Sequence, residues 1–273
     1  MQLSALFIYP VKSLRGCSIS ACGIDSLGLV GDRRFMVVDE TGRFLTQRVM
    51  PKMALIDTAL SSSALTLSFA GQGSVSVTKT TEADAYIRDV RVWSSKGLAA
   101  DDCGNAAADW LSSILGTACR LVRIGDRFRR VVIHSGTETD DLVSFADAYP
   151  FLILGESSLA DLNDRLVAQG GDPLSVSRFR PNLVFSGGDA FAEDHWNRFR
   201  VGKLIFRTGG PCARCTVTTI DPETSERSPE PLRTLATYRR NPANRSEISF
   251  GQNLVHETKS GMLCVGDRIE TLG

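Results

Sequence analysis

Gly209-Gly210-Pro211-Cys212-Ala213-Arg214-Cys215 puts two thiols three residues apart with a guanidinium beside the second. Such a pair serves as half of a zinc site, as a redox dithiol, or as one thiolate ligand next to a bystander. A redox dithiol usually opens a helix whose N-terminus lowers the pKa of the first thiol. Here Thr216 to Ile220 is β-branched and reads as a strand, which disfavours that use. A zinc ribbon needs a second ligand pair, and the only close candidates, Cys17 and Cys22, lie far upstream. The single-ligand use fits best, with Cys215 as the residue to explain. Arg214 would favour its thiolate and could also meet an anion.

Three other clusters place cationic and amide groups among turn residues: Tyr9-Pro10-Val11-Lys12-Ser13, Asp32-Arg33-Arg34-Phe35 and Arg178-Phe179-Arg180-Pro181-Asn182. Taken singly, each arginine is an ordinary solvated or ion-paired surface residue. Together, a lysine, a hydroxyl and arginine forks from separate loops suit a phosphate. His134, His195 and His256 have no partner four residues away and read as surface or packing residues. The chain has no nucleophile elbow, no Walker loop and no dinucleotide fingerprint after a strand. The acidic run Glu138 to Asp141 reads as an exposed loop, and Cys103, Cys119 and Cys264 as small buried apolar residues.

The elements that must position these groups are mostly strands. Leu3 to Tyr9, a hairpin of Phe35 to Asp39 with Phe44 to Gln47, and strands at Ala54 to Leu60, Ala64 to Phe69 and Ser74 to Thr78 predict a small all-β unit. The texture changes near Trp93 to Gly97. Asp101 or Asp102 then caps a helix to Leu115 with Trp110, Leu111, Ile114 and Leu115 on one face. Ser157 or Ser158 opens a second helix through Leu159, Leu162, Leu166 and Val167. Strands are expected at Leu183 to Ser186, Lys203 to Thr208, Thr216 to Ile220 and Gly261 to Glu270, with no βαβ alternation. The fold class is therefore mainly β with some α (α+β), divided into residues 1–95, a small β-barrel-like domain, and 96–273, a second β-rich domain. A cleft between the two is a natural ligand site.

Lys plus Arg equals Asp plus Glu at 31 each, so no global field favours nucleic acid or an acidic membrane surface, and any anion site must be local. The seven cysteines are odd in number and irregularly spaced, which argues against a disulfide-stapled secreted fold. The first residues carry no basic leader, and no apolar run approaches a spanning helix. A cytoplasmic, reducing location without membrane attachment is expected.

Several motifs resemble, in order, those of MOSC-domain proteins with an N-terminal β-barrel domain. They are Tyr9 to Ser13, Asp32-Arg33, Thr46-Gln47-Arg48, Asp102-Cys103-Gly104, Phe151 to Leu154 with Glu156 to Leu159, Phe179 to Asn182, Cys212 to Cys215 and Phe250 to Asn253. The likeness spans essentially the whole chain and is strongest to the branch that reduces N-hydroxylated bases and amidoximes. It implies a second domain of the MOSC β-barrel type and a molybdenum cofactor, Mo-molybdopterin, with Cys215 as metal ligand. It also implies cofactor contacts at Lys12, Ser13, Arg33, Arg180 and Asn182, with Arg214 and Asn253 as further ones. The implied activity is reduction of small N-hydroxylated compounds. The chain stops at Gly273, short of the ferredoxin-like domain of the bacterial relative. No iron–sulfur cluster is therefore expected in it, and electrons are expected from a separate ferredoxin- or flavin-type protein. The other reading of the same thiol is a molybdenum-cofactor or sulfur carrier with a persulfide on Cys215. A third is a structural protein whose cysteines merely pack.

Overall fold

The computed structural model describes residues 1–80, 85–133, 140–242 and 244–272. His134 and Glu138 lie outside them. The strands are β1 (Gln2–Ile8), β2 (Cys17–Ile19), β3 (Ala21–Asp25), β4 (Gly28–Leu29), β5 (Phe35–Val38), β6 (Asp57–Leu60), β7 (Ala64–Ser68), β8 (Ser74–Thr78), β9 (Ile87–Val92), β10 (Ser95–Asp102), β11 (Arg120–Ile124), β12 (Phe151–Gly155), β13 (Leu183–Ser186), β14 (Arg198–Val201), β15 (Leu204–Ala213), β16 (Ser249–His256), β17 (Gly261–Cys264) and β18 (Ile269–Thr271). The helices are α1 (Asn105–Leu115), α2 (Glu156–Ala168) and the short α3 (Leu232–Leu235). The chain is thus mainly β, as its turn-punctuated short runs predict.

A mixed eight-stranded sheet runs β18-β14-β15-β16-β12-β13-β1-β2. Its core holds Phe151, Phe185, Trp196, Phe199 and Phe206, with Phe151 edge-on to Phe206 at 5.3 Å. A four-stranded sheet runs β5-β11-β10-β9, and β6-β7-β8 and β17-β3-β4 form two smaller sheets. All four residues of β5 are buried. Phe35 and Val37 enter one apolar cluster while Met36 and Val38 enter another, so the period-two alternation of the strand serves two cores. The first strand joins the large sheet by pairing with β13, Leu6 opposite Leu183. This interlacing brings the loop after β1 and the loop before β13 to the same end of the sheet.

Five local expectations are corrected. Thr216 to Ile220 is no strand: β15 ends at Ala213 and Thr216–Thr219 forms a 3-10 turn. The hydroxyls of Thr218 and Thr219 donate back to the carbonyls of Cys215 (3.0 Å) and Thr216 (2.8 Å), local bonds that outcompete a ladder. Asp101 and Asp102 belong to β10, and α1 starts after Gly104. Asp102 instead accepts from the Gly104 amide at 2.7 Å and pairs with Arg88 and Arg120. One βαβ unit exists, because β12 and β13 are parallel and α2 connects them. Asp141 is buried and paired with Arg207 (3.1 Å) and Lys259 (2.9 Å), not part of an exposed loop. The closing segment is split by a turn into β17 and β18.

His256 is fully buried against Phe151, and its Nε2–H donates to the Asp25 carbonyl at 2.6 Å. Burial pushes its pKa down from 6.5 to about 4. Between those values the unfolded chain binds more protons than the folded one, so stability present above pH 6.5 is lost as pH falls toward 4. The unfolding free energy from urea titrations across that range is expected to drop by an amount on the order of 3 kcal/mol, and a His256→Gln protein to show a flatter profile.

Candidate functional site

The ends of β1, β12, β13, β15 and the middle of β16 surround a cavity of about 640 Å³. All eight residues singled out from sequence line it: Lys12, Ser13, Arg33, Arg180, Asn182, Arg214, Cys215 and Asn253. The lining carries five cations (Lys12, Arg33, Arg48, Arg180 and Arg214) against two carboxylates (Asp147 and Glu247).

Each cation is held by a specific local device. Asp32, buried, accepts from the Tyr9 amide at 2.8 Å and from Arg33 Nη1 at 2.6 Å. Arg33 Nη1 also donates to Asn182 Oδ1 (3.0 Å) and its Nη2 to the Arg180 carbonyl (3.3 Å). The guanidiniums of Arg33 and Arg180 lie 4.4 Å and 4.2 Å from the centre of the Tyr9 ring. These cation–π contacts stabilise two cations close together. Burial raises the Tyr9 hydroxyl to about 12 and lowers Arg180 to about 10, so the phenol stays neutral and the guanidinium charged near pH 7. Arg180 donates to the Leu14 carbonyl at 2.8 Å and, like Arg214, has no paired carboxylate among the described residues.

Lys12 is buried, donates to the Phe145 carbonyl at 2.8 Å and pairs with Asp147. Burial lowers its pKa to about 8. Asp147 faces the cavity. Although burial opposes it, the Lys12 ammonium and the Arg48 guanidinium hold its carboxyl well below the usual range. Gln47 Nε2 donates to the Ser13 carbonyl at 2.8 Å, which ties the Thr46-Gln47-Arg48 motif to the loop after β1. Asn182 is 1% exposed, and its side chain is used within the protein: Oδ1 accepts from Arg33 and from the Leu152 amide (3.3 Å), and Nδ2 donates to the Phe7 carbonyl (3.2 Å). Asn253 Nδ2 reaches the Pro211 carbonyl at 3.4 Å.

The cysteine segment differs from expectation in one contact. Arg214 Nη1 donates to Cys212 Sγ at 3.0 Å, and its Nη2 to the Phe179 carbonyl at 2.6 Å; its contact is with the first thiol, not with Cys215. Cys215 is exposed at the start of the 3-10 turn. Gly209 permits the close approach of β15 here, since a Cβ on it would sit 2.2 Å from the Tyr149 ring.

A second cavity of about 450 Å³ adjoins the first, and both are lined by Arg48, Asp147, Ala148, Ala213 and Cys215. The thiol therefore stands where the two meet. Of the six non-glycine residues at positive φ among the described residues, four, Ser13, Arg33, Trp93 and Arg180, line these cavities. Backbone held in a sparsely populated region concentrates at functional sites. Sequence reasoning missed Asp147 and Trp93 as site residues. A tryptophan in a turn was the one available signal; Asp147 gave none.

Fold and site together define a mainly β protein with a cationic cavity that ends at a lone exposed thiol. Residues 1–118 match the MOSC N-terminal beta barrel domain and residues 140–270 the MOSC domain. The mitochondrial amidoxime-reducing component 1 of Mus musculus is 36% identical over 99% of this chain and 82% of its own length. The Homo sapiens protein of that name is 35% identical over 99% and 83%. A molybdenum cofactor sulfurase of Danio rerio is 32% identical over 94% of this chain but only 32% of its own length. The chain belongs to the MOSC-domain proteins with an N-terminal β-barrel.

The donor set fits the anionic cofactor that this family implies. Arg48 and Arg214 each keep a buried Nε–H without an acceptor, so protein groups alone do not answer the cationic lining. A soft thiol at the cavity edge suits a thiophilic metal. No helix among the described residues is long and apolar enough to cross a membrane.

Proposed function

We propose that this protein is a molybdenum-cofactor-dependent reductase of N-hydroxylated compounds, with Cys215 as the protein's ligand to the metal. The observation that carries this reading is the exposed Cys215 at the junction of a cationic cavity and a second one open to a small molecule. When bound, the cofactor supplies two-electron cleavage of an N–O bond, in which R–NH–OH takes up two electrons and two protons and leaves as R–NH₂ and water. Electrons come from a separate ferredoxin- or flavin-type protein.

The chain's own residues bind and orient. Lys12, Arg33, Arg180 and Arg214 hold the anionic end of the pterin by charge and fork geometry, with Ser13 and Asn253 as polar contacts. Asn182 orients Arg33 from behind, and Asp147 keeps Lys12 and Arg48 in place at the wall shared by both cavities. Cys212, bonded to Arg214, fixes that guanidinium next to the ligand sulfur.

Lys12 gives this reading a pH signature. Its pKa of about 8 in the free site must rise when an anion binds, so affinity weakens as pH climbs through 8. Cofactor retained after dialysis is expected to fall above that pH in the wild type, and to be low at every pH in Lys12→Met.

The direct test is anaerobic reduction of benzamidoxime with dithionite-reduced methyl viologen, following benzamidine formation. Similarity to a molybdenum cofactor sulfurase over most of this chain favours a second reading, a cofactor or sulfur carrier. Bound molybdenum with no turnover, or a persulfide on Cys215 by mass spectrometry, selects the carrier.

A further inference from the structure

Resting on the assignment of Cys215 as metal ligand, we propose that the second cavity is the substrate vestibule. We further propose that Trp93 and the cations beside it select flat aromatic N-hydroxylated compounds that are neutral or negatively charged.

Trp93 and Ser94 form the two-residue turn between β9 and β10, where Val92 pairs with Ser95. Glycine, asparagine or aspartate usually fills such a turn when φ is positive. Trp93 holds φ 53° there and lies outside the buried core beneath the hairpin, touching it through the edge of Phe44. A bulky residue kept in that conformation with 47% of its surface exposed serves something other than packing.

The indole is nevertheless fixed in place. Its Nε1–H donates to Asp147 Oδ1 at 3.2 Å, Phe44 meets it edge-on at 5.0 Å, and the Arg48 guanidinium lies 4.4 Å from its ring. A rigid aromatic side chain lining a cavity is a stacking platform for another flat ring. Ile133, 68% exposed, adds an apolar wall to the same cavity, whose volume of about 450 Å³ lies in the range of small-molecule sites.

Charge narrows the class. Arg48 and Arg130 line the cavity, and the carboxylate there, Asp147, already accepts from Lys12, Arg48 and Trp93. A cationic substrate meets two guanidiniums and a carboxylate whose charge Lys12 and Arg48 already answer. A neutral or anionic ring meets apolar surface and complementary charge.

The test compares benzamidoxime with its para-carboxylate and para-aminomethyl derivatives, with hydroxylamine as a ringless substrate. The neutral and carboxylate compounds are expected to have similar kcat/KM and the ammonium compound to fall about tenfold lower. In Trp93→Ala the ratio of kcat/KM for benzamidoxime over hydroxylamine should fall about tenfold, mostly through KM, and Trp93→Phe should restore most of it. Benzamidoxime should also quench tryptophan fluorescence in the wild type but not in Trp93→Phe. An unchanged ratio in Trp93→Ala, or preference for the ammonium compound, overturns the vestibule while leaving the reductase reading intact. If the wild type reduces none of these compounds, the reductase reading fails instead. Fluorescence then decides the vestibule, and quenching that does not depend on Trp93 overturns it.

Discussion

Cys215→Ser is expected to lower N-hydroxyl reduction by roughly three orders of magnitude, while Cys212→Ser lowers it by about tenfold or less. The two thiols belong to one short segment and line one cavity, yet their surroundings differ. Cys215 is exposed where the two cavities meet, with its sulfur available to a ligand. Cys212 already accepts from Arg214 at 3.0 Å. Serine at 215 offers a hard, neutral hydroxyl in place of a soft thiolate, a poor match for a thiophilic metal. Serine at 212 still accepts from Arg214, so the guanidinium keeps its direction. Steady-state rates and circular dichroism of both variants check this, the spectra confirming that each remains folded. Equal losses in the two would mean that the thiols act as a pair, and the single-ligand account would be wrong.

Asn182→Ala is expected to destabilise the fold by about 2–4 kcal/mol and to release cofactor as well. The side chain is almost wholly buried and bonds Arg33, the Leu152 amide and the Phe7 carbonyl, while its main chain pairs with both Phe7 and Leu152. Alanine leaves the Arg33 guanidinium short of an acceptor and strands two backbone groups, and buried unsatisfied groups cost far more than exposed ones. Arg33 would then swing away from the Tyr9 ring and loosen the Arg180 side of the cavity. Asn182→Asp keeps the acceptor toward Arg33 and should recover cofactor binding better than stability. Urea denaturation paired with cofactor retention measures both effects. A loss under about 0.5 kcal/mol would show that the cavity wall does not depend on this residue.

Much of the site was legible because its residues are polar types in turns, where local composition and function coincide. Lys12, Arg33, Arg180 and Arg214 stand out among apolar strands, and all of them line the same cavity. Their ordered motifs pointed to the family. What remained hidden depends on tertiary geometry. The Thr216 to Thr219 turn has strand-like composition, and only hydroxyl bonds back to the chain decide against a ladder. Arg214 is adjacent to Cys215 in sequence but bonds Cys212, because neighbours on an extended backbone point to opposite faces and residues two apart share one. Asp147 sits in an unremarkable stretch and gains its meaning only when Lys12, Arg48 and Trp93 converge on it from distant parts of the chain. The parallel pairing of β12 with β13 was equally invisible, since a single βαβ unit leaves no repeating alternation.

Molybdenum content per chain, measured on wild type and Cys215→Ser purified from the same molybdate-replete cells, decides whether Cys215 holds the metal. Close to one metal per wild-type chain, almost none in the variant, and a Cys215 thiol shielded from iodoacetamide in the metal-loaded protein are the expected results. Molybdenum retained by the variant, or a freely alkylated Cys215 in a metal-loaded wild type, would contradict that assignment.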